Sequence, residues 1–154
     1  MQVQIVTISR KPQGWVGQAT EQYTKRISKP YAIDITYLSV GSNNLTKAQR
    51  RERDSNRLLE VMQTVDYGVC LDERGEQWTS VQLAQRLEKW SASYKKVLWV
   101  IGGAEGVSEA VREKAHVLWS VSPLTLPHQF LPVLLAEQLY RATTIVRGHP
   151  YHRH

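Results

Sequence analysis

The sequence predicts an α/β fold, with a mostly parallel five-stranded sheet and flanking helices. Three observations carry that prediction. Five short apolar runs, at 2–8, 33–40, 65–71, 96–101 and 116–121, have the length of strands. The stretches between them repeat apolar residues at helical spacing. The fourth run, KVLWVI, is apolar at nearly every position, as in a strand covered on both faces. Strands alternating with helices in this way favour parallel crossovers.

Each element has its own local signature. QVQIVTI (2–8) is rich in β-branched residues and stops at Arg10, Lys11 and Pro12. Trp15, Ala19, Tyr23 and Ile27 recur every four residues while Lys25 and Arg26 lie off that stripe, so 14–28 reads as an amphipathic helix closed by Pro30. In IDITYLSV (33–40), Ile33, Ile35 and Tyr37 alternate with polar neighbours, and GSNN (41–44) is a loop by composition. A helix over 46–63 starts with the polar segment KAQRRERDSNR and becomes apolar only at Leu58, Leu59 and Met62. VDYGVCL (65–71) is the third strand, with DERGEQW predicted as a loop. Thr79 and Gln82 form a T-x-x-Q capping box ahead of Leu83, Ala84, Leu87 and Trp90, which places a helix over 80–92. KVLWVI runs into GGAEG. Ser108 is the N-cap of a short helix through Lys114. HVLWSV (116–121) is the fifth strand, followed by the loop PLTLP. Leu131, Leu134, Leu135, Leu139 and Ala142 line a last helix, in which Pro132 fits only the first turn.

Composition narrows the class. A chain of 154 residues with 42% apolar residues fits one domain, 1–154, that buries roughly 70% of its unfolded surface. A single cysteine, Cys70, excludes a disulfide framework or a cysteine-based zinc site. No apolar run approaches the ~18 residues of a membrane span. The start lacks a basic segment followed by a long apolar one, so a cytoplasmic protein is expected. Twenty Lys and Arg against fourteen Asp and Glu give a net charge of +6. One concentration is Lys47, Arg50, Arg51, Arg53 and Arg57, offset by Glu52 and Asp54. The other is Arg141, Arg147 and Arg153 among the C-terminal histidines. The first reads as a solvated face or a track for phosphates.

Open parallel sheets bind ligands beyond the carboxyl ends of their strands. Three such ends are distinctive here: LDERG (71–75), GGAEG (102–106) and PLTLP (123–127), and one crevice can use all three. A dinucleotide fingerprint and a G-K-[ST] phosphate loop are both missing, which disfavours a Rossmann oxidoreductase. The unpaired backbone of PLTLP suits the edge of an adenine. Glu105 is a candidate base or amine ligand, or simply favours the next helix N-terminus. Glu137 and Arg141 read as an i, i+4 ion pair, and Cys70 as a small core residue. The ending HPYHRH places three His in six residues, with no carboxylate or thiolate to complete a metal set; no metal is expected. Tyr, His and Arg together suit stacking on a base and holding a phosphate.

VCLDERG, IGGAEG, PLTLPH, LLAEQLYRA and HPYHRH stand in the order and spacing of the RlmH family, the ribosomal RNA large subunit methyltransferases H of the SPOUT (α/β-knot) class. The chain resembles that family from QIVTISR to its end. The resemblance implies a C-terminal trefoil knot, a homodimer, and methyl transfer from S-adenosylmethionine to N3 of a pseudouridine in the helix 69 loop of 23S rRNA, on the assembled ribosome. It implies a cofactor site at Leu71, Gly103, Ser122, Pro123, Leu124, Thr125, Leu126 and Pro127. Members often have Pro where this chain has Ala104. His149, Tyr151, His152 and Arg153 match the family's ending, followed here by His154, and the tail is expected to reach the partner's cofactor pocket. His152 is the candidate base for the N3 proton, Arg153 the stabiliser of charge on the pyrimidine ring, Tyr151 the positioning residue, and Glu105 a competing base. Two rivals share the scaffold: an RNA-binding domain without catalysis, and a SPOUT enzyme acting on tRNA or on uridine.

Overall fold

The computed structural model describes residues 1–41 and 44–153, with His152 and Arg153 described by backbone alone. Ser42 and Asn43 of the predicted 41–44 loop, and His154, lie outside the described residues. The elements in chain order are β1 (Gln2–Ile8), α1 (Gly14–Arg26), β2 (Ala32–Leu38), α2 (Lys47–Met62), β3 (Tyr67–Gln77), α3 (Ser80–Ser93), β4 (Lys96–Ile101), α4 (Glu109–Lys114), β5 (Val117–Ser120) and α5 (Leu131–Val146). The five strands form one parallel sheet in the order β2-β1-β4-β3-β5.

β4 is the middle strand, and Val97 through Ile101 are buried. Its side chains alternate between two cores, as the period of two in a strand requires. Val97, Trp99 and Ile101 join Leu83, Leu87 and Trp90 of α3 and Leu135, Leu139 and Ala142 of α5. Leu98 and Val100 face the other way, with Leu58 and Met62 of α2 and Val111 of α4. Each such fully buried aliphatic side chain contributes roughly 1.5–3 kcal/mol of transfer free energy. The first core also holds an aromatic chain. Trp78 stacks on Trp119 at 5.5 Å, Trp119 meets Trp99 edge-on at 5.1 Å, and Trp99 meets Trp90 at 6.0 Å.

Helix starts follow their caps. Thr79 and Gln82 make the predicted reciprocal box, and Thr46 with Gln49 makes a second one at the start of α2. Ser108 caps α4 through the Val111 N–H, and Pro132 sits in the first turn of α5.

Three expectations need correction. The inward stripe of α1 is rotated by about one residue: Val16 and Thr20 are buried, whereas Trp15 is 64% exposed. Thr20 is tolerated inside because its hydroxyl donates to the Val16 carbonyl at 2.8 Å, and the Trp15 ring rests edge-on against Phe130 at 5.4 Å. The second strand stops at Leu38 rather than at 40. The predicted loop DERGEQW is largely strand, because β3 runs on to Gln77.

That extension is irregular. Leu71 and Glu76 both pair with Trp119 of β5, so residues 72–75 leave the ladder and return to it. Gly75 permits the return, since a Cβ there would lie 2.5 Å from the backbone of both Leu118 and Trp119. The polar first half of α2 is docked rather than merely solvated. Arg50, Arg51 and Arg57 donate to the carbonyls of Leu45, Val107 and Ser39, and Arg53 pairs with Asp54.

Replacing Gly75 by Ala forces β3 and β5 apart. Urea unfolding of Gly75→Ala should show a stability loss of about 1–3 kcal/mol; an unchanged midpoint would mean the two strands are not in this contact.

Candidate active site

The irregular stretch of β3 at Leu71–Glu73 and the carboxyl ends of β4 and β5 open on one cavity of about 630 Å³, within the range of small-molecule sites. Leu71, Gly103, Ser122, Leu124, Thr125, Leu126 and Pro127 line it, and the three loops singled out in the sequence therefore meet. Pro123, within the third loop, is exposed and does not line the cavity. Sequence reasoning did not single out Trp119, Arg112 or His128, which also line it. Of these, His128 was legible as the residue closing PLTLPH; Arg112 carried no local signal.

The glycine loop closes on itself. The Gly106 N–H donates to the Gly103 carbonyl at 3.0 Å, and Gly106 has φ +71°, where a side chain would be strained. A Cβ on Gly103 would sit 3.1 Å from Cγ2 of Ile8, so the loop lies directly on the end of β1. In the third loop the Ser122 hydroxyl accepts from the Leu124 N–H at 3.0 Å, and Ser120 donates to the Ser122 carbonyl at 3.1 Å. Among the described residues, the N–H groups of Thr125 and Leu126 take no protein partner. The buried indole N–H of Trp119, on the cavity wall, also has none. A slot with open backbone donors, a glycine wall and an aromatic wall fits an adenosyl group.

Carboxylates surround the same cavity. Asp72 lines it with a side chain only 5% exposed. It accepts from Arg112 Nε at 2.6 Å, from the Arg74 N–H at 3.0 Å and from Arg74 Nε at 3.3 Å. Burial alone would raise its pKa, but these hydrogen bonds and the Arg112 charge outweigh burial and hold the carboxyl below its ordinary value. Asp72 thus pins the residues that leave the β3 ladder. Glu105 lies 3.4 Å from Arg50 Nη2, which ties the glycine loop to α2.

The tail sits elsewhere on the chain. Pro150–Arg153 form a short 3-10 turn after α5. Tyr151 meets Tyr140 edge-on at 4.7 Å, lies 5.0 Å below the Arg141 guanidinium and donates its hydroxyl to Glu137 Oε1 at 3.2 Å. Glu137 and Arg141 make the predicted i, i+4 pair at 2.5 Å. Burial, then Tyr23 and Glu137, push the Tyr151 phenol up to about 12, so it stays protonated and positions rather than titrates. Tyr151 does not line the cavity of its own chain. The side chains of His152 and Arg153 lie outside the described residues. Cys70 is buried and its thiol is pushed up to about 12 by burial, as befits an inert core residue.

Asp72 makes stability pH-dependent. A carboxyl whose pKa is depressed in the folded state stabilises at neutral pH, and that contribution disappears as pH falls through the folded value. Asp72→Asn should therefore cost about 1–3 kcal/mol at pH 7. The difference from the parent should narrow only as pH falls below the ordinary carboxylate value, and close once the parent's depressed carboxyl is itself protonated. Chemical denaturation at several pH values measures this; a gap that persists unchanged into acid would remove the ionised Asp72 as its source.

The SPOUT_MTase family model, described as "Predicted SPOUT methyltransferase", matches residues 1–152. The chain is 37% identical over 155 aligned positions to the ribosomal RNA large subunit methyltransferase H of Hahella chejuensis, covering 99% of each chain. It is 39% identical over 158 positions to the protein of the same name from Cupriavidus metallidurans, again covering 99% of each. A solved structure of a probable methylase family protein from Haemophilus influenzae superposes with a TM-score of 0.57 at 13% identity, over 97% of this chain and 69% of that one, a likeness of fold. With three strand-end loops gathered at one cavity and a match of this extent, the chain belongs to the SPOUT methyltransferases, and among them to the ribosomal RNA large subunit methyltransferase H family.

Proposed function

We propose that this chain, as a single SPOUT domain over 1–154 with the family's trefoil knot, works in the cytoplasm as a 23S rRNA methyltransferase. Its target is N3 of a pseudouridine in the helix 69 loop of the assembled ribosome, and its methyl donor is S-adenosylmethionine. The observation that carries this reading is the meeting of LDERG, GGAEG and PLTLP at one cavity in a chain that matches rRNA methyltransferases end to end. Among the described residues no helix is long and apolar enough to cross a membrane.

S-adenosylmethionine supplies the methyl on a sulfonium, already activated toward a nitrogen nucleophile, so the chain contributes binding, orientation and removal of one proton. Leu71, Gly103, Ser122 and Leu124–Pro127 would hold the adenosyl end, with the N–H groups of Thr125 and Leu126 free for the base edge. His152 takes the proton from N3 of the target ring. Arg153 opposes the negative charge that develops on the ring, and Tyr151 packs the base. A looped base is reached without opening a duplex, which suits a small enzyme.

The working unit in this reading is a homodimer whose tails cross to the partner's cavity. Two observations support it. Tyr151, in the turn after α5, packs back against that helix, off the cavity of its own chain. Trp15, Leu124 and Phe130 leave apolar surface exposed at 64%, 72% and 37% around the start of α1 and the third loop.

Single-turnover methylation of ribosomes, with mass mapping of the product, tests the reading. The methyl should appear at N3 of a helix 69 pseudouridine. His152→Ala and Arg153→Ala should each slow transfer by about 10²–10⁴-fold, and near-parental rates in both would sink the tail mechanism. A methyl found on tRNA or on uridine would establish the other SPOUT specificity; intact RNA affinity without S-adenosylmethionine binding in calorimetry would establish the non-catalytic rival. A tail-deleted protomer mixed with one altered in the third loop should recover part of the activity. No recovery in folded heterodimers would place each site within one chain.

A further inference from the structure

A second, smaller pocket of about 150 Å³ opens beside the donor cavity, and His128 lines both. It lies beyond the ends of β1 and β2, between Arg10, Pro12, Tyr37, Gln129 and Pro132. Its lining differs from its neighbour's. The donor cavity carries the carboxylates Asp72, Glu73 and Glu105, the first and last of them paired with arginines. No carboxylate lines the second pocket among the described residues.

Its positive features accumulate instead. Arg10 is exposed at its rim, next to Lys11. α5, a sixteen-residue helix, begins at this pocket through Pro132, with no side-chain cap and no acidic residue in its first turn. A 3-10 turn over His128–Phe130 runs into that end, the Leu131 N–H is taken by the His128 carbonyl and Pro132 has no N–H, so the helix offers its dipole there rather than a free donor. The Tyr37 phenol is raised by burial and stays a neutral hydroxyl. The remaining walls are flat and apolar, from Pro12, Pro132 and the Tyr37 ring. Gln129 adds an amide that both donates and accepts, as an unpaired base edge requires.

We propose that this pocket binds one pyrimidine nucleotide of the substrate RNA adjacent to the methylated one, with its phosphate at Arg10 and its base edge at Gln129. The pocket is of the scale of one base rather than of a dinucleotide. Its common wall with the donor cavity sets it one step along the strand from the reacting ring. The pocket then reads sequence context, because contacts to the nucleotides flanking a target choose among otherwise equal sites. This inference rests on the RNA-methyltransferase reading for its substrate, but its test does not.

The test is a titration of the full-length protein with uridine 5′-monophosphate, followed by amide chemical shifts, with and without saturating S-adenosylmethionine. Saturable shifts at Ser9, Tyr37 and Gln129 are expected, unchanged by S-adenosylmethionine, and weakened about tenfold in Arg10→Ala and in Gln129→Ala. Inorganic phosphate alone should bind more weakly than the nucleotide. On ribosomes, both variants should raise KM for the RNA substrate far more than they lower kcat, while calorimetric affinity for S-adenosylmethionine stays at the parental value. Shifts confined to 101–107 and 122–127, loss of the shifts when S-adenosylmethionine is added, indifference to both variants, or equal affinity for phosphate and nucleotide would each overturn the proposal. If the parent protein transferred no methyl to 23S rRNA while the nucleotide still bound here, the functional reading would fail and the pocket would stand.

Discussion

Burial of β4 on both faces is the constraint on which the rest of the structure depends. A strand with no polar side chain from Val97 to Ile101 must sit in the middle of the sheet, with one layer of helices against each face. That placement puts β1 on one side of it and β3 on the other. Because every pair is parallel, the carboxyl ends of all five strands lie at one edge of the sheet. The glycine loop leaves from the central strand at that edge, so the loops after β3 and β5 approach it from one side. The second pocket, beyond β1 and β2, lies on the other side. The chemistry of the site is thus a by-product of where the most apolar strand has to go.

The loops themselves are held by charges that pair before any ligand arrives. Asp72 organises the residues that leave the β3 ladder through three hydrogen bonds, two of them from guanidinium groups. Breaking such a pair leaves a buried charge without its partner, which is where its energetic weight lies. Arg50 and Arg51 reach from α2 to Glu105 and to the Val107 carbonyl, on either side of Gly106. The glycine loop is therefore fixed from beneath by Ile8 and from the side by α2, partly through its own Glu105.

Most of this was legible in the sequence where local chemistry decides. Capping residues placed α3 and α4, the apolar run KVLWVI placed the central strand, and Pro132 placed the first turn of α5. Readings failed where tertiary contact decides. DERGEQ has the composition of a loop, and only the pairing of Glu76 and Gln77 with β5 makes it strand. Trp15 falls on a four-residue repeat, yet Val16 and Thr20 are the buried pair, because Thr20 satisfies its hydroxyl within the helix and polarity alone misjudges it. The arginines of α2 looked like a solvated face because the carbonyls they serve, on Leu45, Val107 and Ser39, are distant in sequence or leave no mark in it. At the site, the three loops could be named from glycine, proline and strand ends, whereas Arg112 and the second pocket arise only from packing.

The aromatic chain through the first core has a consequence for how the molecule is observed. Four of the five tryptophans, Trp78, Trp90, Trp99 and Trp119, form one chain of ring contacts, and Trp119 within it is a wall of the donor cavity. Excitation absorbed by any of the four is shared among rings within about 7 Å of one another. The fifth, Trp15, is solvent-exposed, and its emission is expected to lie to the red of the buried four. Tryptophan emission is therefore expected to carry a core component that reaches the binding site and a surface component from the start of α1, so that occupancy of the cavity and covering of that surface should be optically separable without a label.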